Sequence, residues 1–325
     1  MLCTVSKSIW EGVPLEKKER FLGSLLGLAV GDCVGVSAEF SPPGTFPLIE
    51  DMMGGGPFDL NVGEWTDDTS MALCLAESLT KCQGFNLEDQ IQRYIQWFRN
   101  GHLSSRDECF DIGIATREAL DIYMETGNAY SGSTDPYKAG NGSIMRLSPV
   151  PLLWSYDLKQ AVFYSGESSK TTHGAEECIH ACNYLGALIV GAIQGKKKEE
   201  LLSKEFVDRV EEVMGQSLCK RIREVAGGSY KHRKPPEIKG TGYVVHSLEA
   251  ALWAFYHSNQ FDEGLLLAVN LGDDSDTTGA VYGQLAGAFY GETAISKKWR
   301  NKIIKRDLIE GLAGRLYELE SKMHT

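Results

Sequence analysis

An all-α architecture is expected for this 325-residue chain, on three grounds. Proline is absent from 152–234 and again from 237–325, long tracts in which nothing of that kind interrupts a helix. Apolar residues recur at the 3.6-residue spacing of helices along most of the chain. The alternating β-branched runs that sheets require are missing. The helical pattern is read over 15–31, 69–82, 88–99, 108–124, 175–193, 198–213, 244–257, 263–271, 277–290 and 307–322. Irregular loops are read at 36–66, 100–106, 127–143 and 227–242.

In the first helix Phe21, Leu22, Leu25, Leu26 and Ala29 occupy one broad apolar face, as a core-facing helix requires. Gly23, Gly27, Gly31 and Gly35 recur along it at every fourth residue, and Gly279, Gly283, Gly287 and Gly291 repeat that spacing late in the chain. A glycine inside a helix costs about 1 kcal/mol relative to alanine, so each stripe needs a compensating gain. Residues four apart share one face, and glycines there let another backbone approach closely. Membrane helices use this spacing, but Asp32 and Gln284 argue against that setting. Two tightly packed helices in a soluble core are expected, and each stripe is a candidate partner for the other. The helices at 69–82 and 277–290 each follow adjacent carboxylates and hydroxyls. The helix at 175–193 falls in Cys178–Gly195, the longest apolar stretch without a formal charge; His180, Asn183 and Gln194 mark it as a buried helix rather than a membrane span. No linker rich in Ser, Pro or charge divides the chain, so one domain is expected.

Composition narrows the function classes. Hydrophobic residues make up 42% and charged residues 24%, ordinary globular usage. Glycine stands out: 35 residues, about 11% against a usual 7%. The net charge is −11, and without a segregated basic face such a chain repels nucleic acid. The clusters Lys196–Lys198 and Lys231–Lys234 are short and read as solvated loops or helix ends. The N-terminus lacks the apolar run of a secretory signal. The eight cysteines show no C-x-x-C pair, which suits free thiols in a reducing compartment. A zinc site around Cys178, Cys182, His173 and His180 is disfavoured, because structural zinc sites space their ligands more tightly. A soluble cytoplasmic protein is expected, binding neither nucleic acid nor membrane.

The strongest chemical signal is Glu64-Trp65-Thr66-Asp67-Asp68-Thr69-Ser70, echoed by Gly272-Asp273-Asp274-Ser275-Asp276-Thr277-Thr278. Asp, Ser and Thr cap helices well, but one cap needs one such residue, and three Asp within four positions repel one another. Two readings stand: caps alone, or a site for a countercharge. Carboxylate and hydroxyl oxygens without neighbouring His or Cys suit Mg²⁺, Mn²⁺ or Ca²⁺ rather than zinc. The spacing does not match an EF-hand loop. A third segment, Gly31-Asp32-Cys33-Val34-Gly35 leading to Glu39, offers one more oxygen ligand or a general base.

Six pieces together resemble the ADP-ribosylglycohydrolase family, specifically its bacterial dinitrogen-reductase-activating-glycohydrolase branch. They are GDCVGVSAEF at 31–40, WTDDTSMAL at 65–73, CFDIG at 109–113, AGNGSIMR at 139–146, THG at 172–174 and LGDDSDTTGAVYGQLAGAFYG at 271–291. The resemblance implies a compact orthogonal multi-helix bundle with a binuclear Mg²⁺ or Mn²⁺ centre in a cleft. It implies Thr66, Asp67 and Asp68 as one ligand group and Asp274, Asp276 and Thr277 as the other, with Asp273 outside both. Glu39 matches an acidic residue used as ligand or catalytic base, and Asp111 matches an acidic residue with a catalytic role. Gly140, Asn141, Gly142 and Ser143 match a loop that receives ADP-ribose; small residues there expose backbone N–H groups to a pyrophosphate. His173 matches a residue lining the ribose site. Arg146 either pairs with phosphate or fixes the loop. The matched domain runs over 21–325, leaving 1–20, with Trp10, as an N-terminal extension. Glu64 departs from the pattern and adds negative charge near the cleft.

The expected activity is metal-dependent hydrolysis that frees ADP-ribose from a modified protein side chain, at the N-glycosidic bond to arginine, by a monomer. Glu39 or Asp111 would take a proton from the attacking water. Two alternatives stay open. A two-metal phosphohydrolase would release AMP or phosphate instead. An immunity protein would block a cognate ADP-ribosyltransferase by direct contact through residues 1–20.

Overall fold

Glycine stripes on two distant segments decide how the chain comes together. The computed structural model describes residues 15–324, and these form helices joined by loops, with isolated β-bridges in place of strands. The helices run α1 Lys17–Gly35, α2 Asp67–Cys82, α3 Leu87–Asn100, α4 Ile114–Thr126, α5 Pro149–Leu153, α6 Leu158–Ser169 and α7 Glu176–Ile193. There follow α8 Lys198–Leu201, α9 Lys204–Met214, α10 Lys220–Ala226, α11 Val244–His257, α12 Phe261–Val269, α13 Ser275–Tyr290, α14 Lys297–Lys302 and α15 Arg306–His324. The all-α class is as expected.

α1 and α13 lie antiparallel and backbone to backbone. A Cβ on Gly23, Gly27 or Gly31 would come closer than 3.0 Å to the carbonyl oxygen of Gly287, Gly283 or Gly279, and the reverse holds for each pair. Only glycine permits that approach, and the dispersion and burial gained along the contact offset the helix-propensity cost. The fourth members differ. Gly35 abuts the backbone of Ser275 and Asp276, whereas Gly291 has left the helix at φ 82° and stands against Leu15. The antiparallel register brings the C-terminal end of α1 beside the first turn of α13. The segment that carries Asp32 and Glu39 therefore meets the second acidic motif, some 240 positions away.

The remaining helices enclose this pair. α15 packs on α1 and α2, α12 and α11 pack on α13, and α6 pairs with α7. Arg20 donates to the carbonyls of Ala192, Ala288 and Phe289 at 3.0, 3.0 and 2.7 Å, a cation at the C-terminal ends of α7 and α13, where the helix dipoles favour one. α1 with its 3₁₀ extension is long and apolar enough to cross a membrane, but it lies inside the protein and carries Asp32.

Three differences from the sequence reading have local causes. The helix expected from 108 starts at Ile114, because Asp111 takes a left-handed φ of 57°. The helix expected at 198–213 is two, since Ser203 breaks it and caps α9 by accepting from Phe206 N at 3.1 Å. α6 was not among the helices read, although Asp157 caps it through Lys159 N and Gln160 N. Short α5, α10 and α14 are additional. The extension at 1–20 ends inside α1, which starts at Lys17; residues 1–14, including Trp10 and any partner contact there, lie outside the described residues.

Candidate metal centre and adjoining loop

The site begins with Asp32, a fully buried acid in the apolar C-terminal half of α1. Its carboxylate accepts from Thr66 N at 3.0 and 3.2 Å, Thr69 N at 3.1 Å and Thr69 Oγ1 at 2.6 Å. Thr66, the N-cap of α2, makes no side-chain cap of its own. Asp32 therefore caps α2 from across the α1–α2 contact and satisfies amides that would otherwise lack acceptors. Sequence reasoning did not count Asp32 in the site. Its signal was an acid inside a glycine-striped apolar helix, where a bare charge could not persist without partners.

Around this cap the expected residues converge. Thr66 Oγ1 lies 3.1 Å from Asp32 Oδ1 and 3.3 Å from both Asp68 Oδ2 and Asp276 Oδ2. Thr277 Oγ1 lies 3.2 Å from Asp68 Oδ2. One hydroxyl carries one hydrogen, so Thr66 can satisfy only one of three carboxylates. Asp67 is buried in the first turn of α2. Glu39 follows the 3₁₀ turn Val36–Ala38, and carboxylate oxygens of Glu39, Asp111 and Asp276 come within 4.8 Å of one another. Asp274, the N-cap of α13, accepts from Asn141 Nδ2 at 2.8 Å. Asp273 acts through its backbone: its N–H donates to Ser41 O at 2.8 Å and its carbonyl accepts from Phe40 N at 2.6 Å. That bridge ties the Glu39 turn to the second acidic motif. Glu64 adds no free charge to the acid cluster, since Arg106 holds it at 2.8 Å and Asn61 donates to it.

Seven carboxylates thus gather in one region, and among the described residues none forms an ion pair. Burial, reinforced by Asp111 and Asp274, pushes the Glu39 carboxyl up to about 10. Burial and Asp274 push Asp111 to about 8. Asp67, Asp68 and Asp276 are raised well above the carboxylate range by burial and by their acidic neighbours, and burial raises Asp274. Asp32 rises only to about 6, because bonds from Thr69 and Thr66 counter its burial. Glu39 Oε2, Asp68 Oδ1 and Asp276 Oδ1 are buried without any hydrogen-bond partner. Buried oxygens of this kind are costly unless something cationic meets them. The donors are carboxylates and hydroxyls, so the residues fit a hard divalent cation. The cysteines and histidines once weighed for zinc are engaged elsewhere: Cys178 Sγ reaches Gly140 O, Cys182 Sγ reaches Ser143 Oγ, and His180 Nδ1 accepts from Cys219 N.

A loop of different character adjoins the acids. Gly140 pairs with Tyr243 in a bridge, and Asn141 N donates to Gly242 O at 3.1 Å. The Asn141 side chain faces inward, to Ser247 at 2.9 Å and to Asp274; Ser143 is buried. Among the described residues the N–H groups of Gly142 and Ser143 meet no acceptor. Arg146, 1% exposed, donates to Gly142 O at 2.9 Å, Thr171 Oγ1 at 3.0 Å and Thr172 Oγ1 at 2.7 Å. It fixes the loop and faces no open space. The His173 ring lies against the loop: a Cβ on Gly142 would stand 2.7 Å from its Cε1. Beside Gly140 opens a cavity of about 760 Å³, lined among others by Ile114, Tyr137, Gly242, Tyr243 and Arg221.

A family model described as ADP-ribosylglycohydrolase matches residues 14–324. An ADP-ribosylarginine hydrolase Tri1 of Pseudomonas putida (strain GB-1) is 41% identical over 305 residues, 94% of this chain and 80% of its own. Another of that name, from Serratia proteamaculans (strain 568), is 38% identical over 318 residues, 96% of this chain and 84% of its own. A solved structure described as an ADP-ribosylglycohydrolase-related protein complex contains a chain 44% identical to this one, with TM-score 0.82, the match covering 94% of this chain and 99% of that one. With the all-α fold and the buried acid cluster already in view, these matches show that the chain belongs to the ADP-ribosylglycohydrolase family.

Proposed function

We propose that this enzyme removes ADP-ribose from arginine side chains of modified proteins, with two Mg²⁺ or Mn²⁺ ions as cofactor. The observation that carries this reading is a cation-demanding acid cluster set directly beside a loop with free amide donors. A substrate joining a pyrophosphate to a ribose diol needs both. Thr66, Asp67, Asp68, Asp274, Asp276 and Thr277 would hold the ions. Bound there, a divalent cation supplies positive charge that orients the ribose hydroxyls and lowers the pKa of a water.

The chain's own groups do the rest. Gly142 and Ser143 donate their free N–H groups to the pyrophosphate, and Gly140 leaves room for it. Asn141 holds Asp274 in place, and His173 faces the ribose. The cavity beside Gly140, with Tyr243 on its wall, accommodates the nucleotide end. Glu39 or Asp111, ionised when cations occupy the cluster, would take the proton from the water that attacks the anomeric carbon; the C–N bond breaks with its electron pair going to the guanidino nitrogen, which takes up that proton and leaves as arginine. The carboxylate cluster beside the loop favours a cationic side chain over serine. The described cysteines are free thiols, in keeping with work in a reducing cytoplasm.

The test compares peptides carrying arginine-linked and serine-linked ADP-ribose, with Mg²⁺ and with EDTA, by product mass. Intact ADP-ribose from the arginine peptide in Mg²⁺ alone is expected. AMP as product, or an equal rate in EDTA, would sink the reading.

A further inference from the structure

The mechanism above leaves one buried cation unexplained. Arg146 is enclosed, stacks over the Tyr94 ring at 4.6 Å, and reaches the nucleotide loop at Gly142 O and the 171–172 segment through the other arm of its guanidinium. Holding a loop would account for the first arm. The second arm has a consequence for His173, because Thr172 Oγ1 also lies 2.8 Å from His173 Nδ1.

Proton accounting along that chain leaves one solution. A guanidinium only donates, so Thr172 Oγ1 accepts from Arg146 Nη2. Thr172 is fully buried, and among the described residues its hydroxyl has no acceptor other than His173 Nδ1. Were Nδ1 protonated, it would donate to the second lone pair of Oγ1, and the buried hydroxyl hydrogen would be left without an acceptor. Nδ1 must therefore be the acceptor. The ring is neutral: burial, then the charge of Arg146, pulls His173 down to about 3. A neutral ring with bare Nδ1 carries its hydrogen on Nε2. Nε2 lies at the loop, 3.4 Å from where a Cβ on Gly140 would stand, and among the described residues it has no partner.

We infer that Arg146 and Thr172 are positioning residues that lock His173 as the Nε2–H tautomer, presenting a neutral hydrogen-bond donor to an acceptor oxygen of ADP-ribose. The assignment rests on the reading of 140–143 and 173 as the ADP-ribose site. It adds that His173 neither titrates nor accepts there: it donates, at any working pH.

Nitrogen-15 NMR of the whole metal-loaded chain, without nucleotide, reads the tautomer directly, with His173→Asn identifying the resonances. Expected is a protonated Nε2 and a bare Nδ1, with the Nε2–H form at about nine-tenths or more. Thr172→Val should give a tautomer mixture and weaken ADP-ribose binding about tenfold by calorimetry. Thr172→Ser, which keeps the hydroxyl, should restore both. A protonated Nδ1 in the wild type, or an unmixed Nε2–H form in a folded Thr172→Val protein, would overturn the relay. Unchanged ADP-ribose affinity in His173→Asn would overturn the site reading beneath it, whatever the tautomer.

Discussion

Asp32 shows how much one side chain can settle. It lies behind the ligand set, yet it closes the first turn of α2 and thereby orients Thr66, Asp67 and Asp68. Asp32→Ala leaves the amides of Thr66 and Thr69 and the Thr69 hydroxyl without an acceptor, and a loss of about 2–4 kcal/mol in denaturant unfolding is expected. Asp32→Asn, which retains one acceptor oxygen, should lose less than half as much. Equal losses would mean that the negative charge, rather than the acceptor geometry, holds the cap. The ligand residues should respond in the opposite sense. Asp274→Asn removes repulsion from a crowded site, so the metal-free variant should unfold no earlier than wild type while losing the stabilisation that Mg²⁺ confers.

The α1–α13 pair carries the argument at the level of elements. Gly283→Ala sets a methyl group into the carbonyl of Gly27, and neither backbone can yield without parting the helices. A loss above about 3 kcal/mol is expected, together with weaker metal binding, because the same pair sets the distance between the two acidic motifs. Gly314→Ala is the control. Its Cβ meets nothing within 4 Å in α15, and a gain of about 0.5–1 kcal/mol should appear in thermal melts. Most of this was legible beforehand. The period-four spacing marked both stripes, and adjacent carboxylates before apolar runs marked both ligand groups. What the residues alone could not convey was long-range geometry. The inward use of Asn141, the bridge from Asp273 to Ser41 and the pairing of Glu64 with Arg106 all depend on loops whose course has no periodic signature. α6 escaped because its Ser-rich sequence masks a correct cap at Asp157.

For the molecule as a whole, charge links stability to metal. The cluster carboxyls have folded pKa values above their unfolded ones, so between those values the folded state binds more protons and stability falls as pH rises. The window opens near the ordinary aspartate value of about 4 and runs through about 6 for Asp32, about 8 for Asp111 and about 10 for Glu39. Metal-free protein should therefore melt lower at pH 8 than at pH 6. Saturating Mg²⁺ should abolish or reverse that slope, adding about 2.7 kcal/mol at a hundred times its dissociation constant. A rising melting temperature across the same interval without metal would contradict the electrostatics.

The most direct measurement is calorimetric titration of the chelator-stripped chain with Mn²⁺ at pH 7, in two buffers of different ionisation heat. Saturable uptake of two ions with net release of protons is expected, since the raised carboxyls must give up hydrogen to become ligands. No binding at millimolar Mn²⁺ by a chain that still frees ADP-ribose from arginine would contradict the claim that this cluster exists to hold metal.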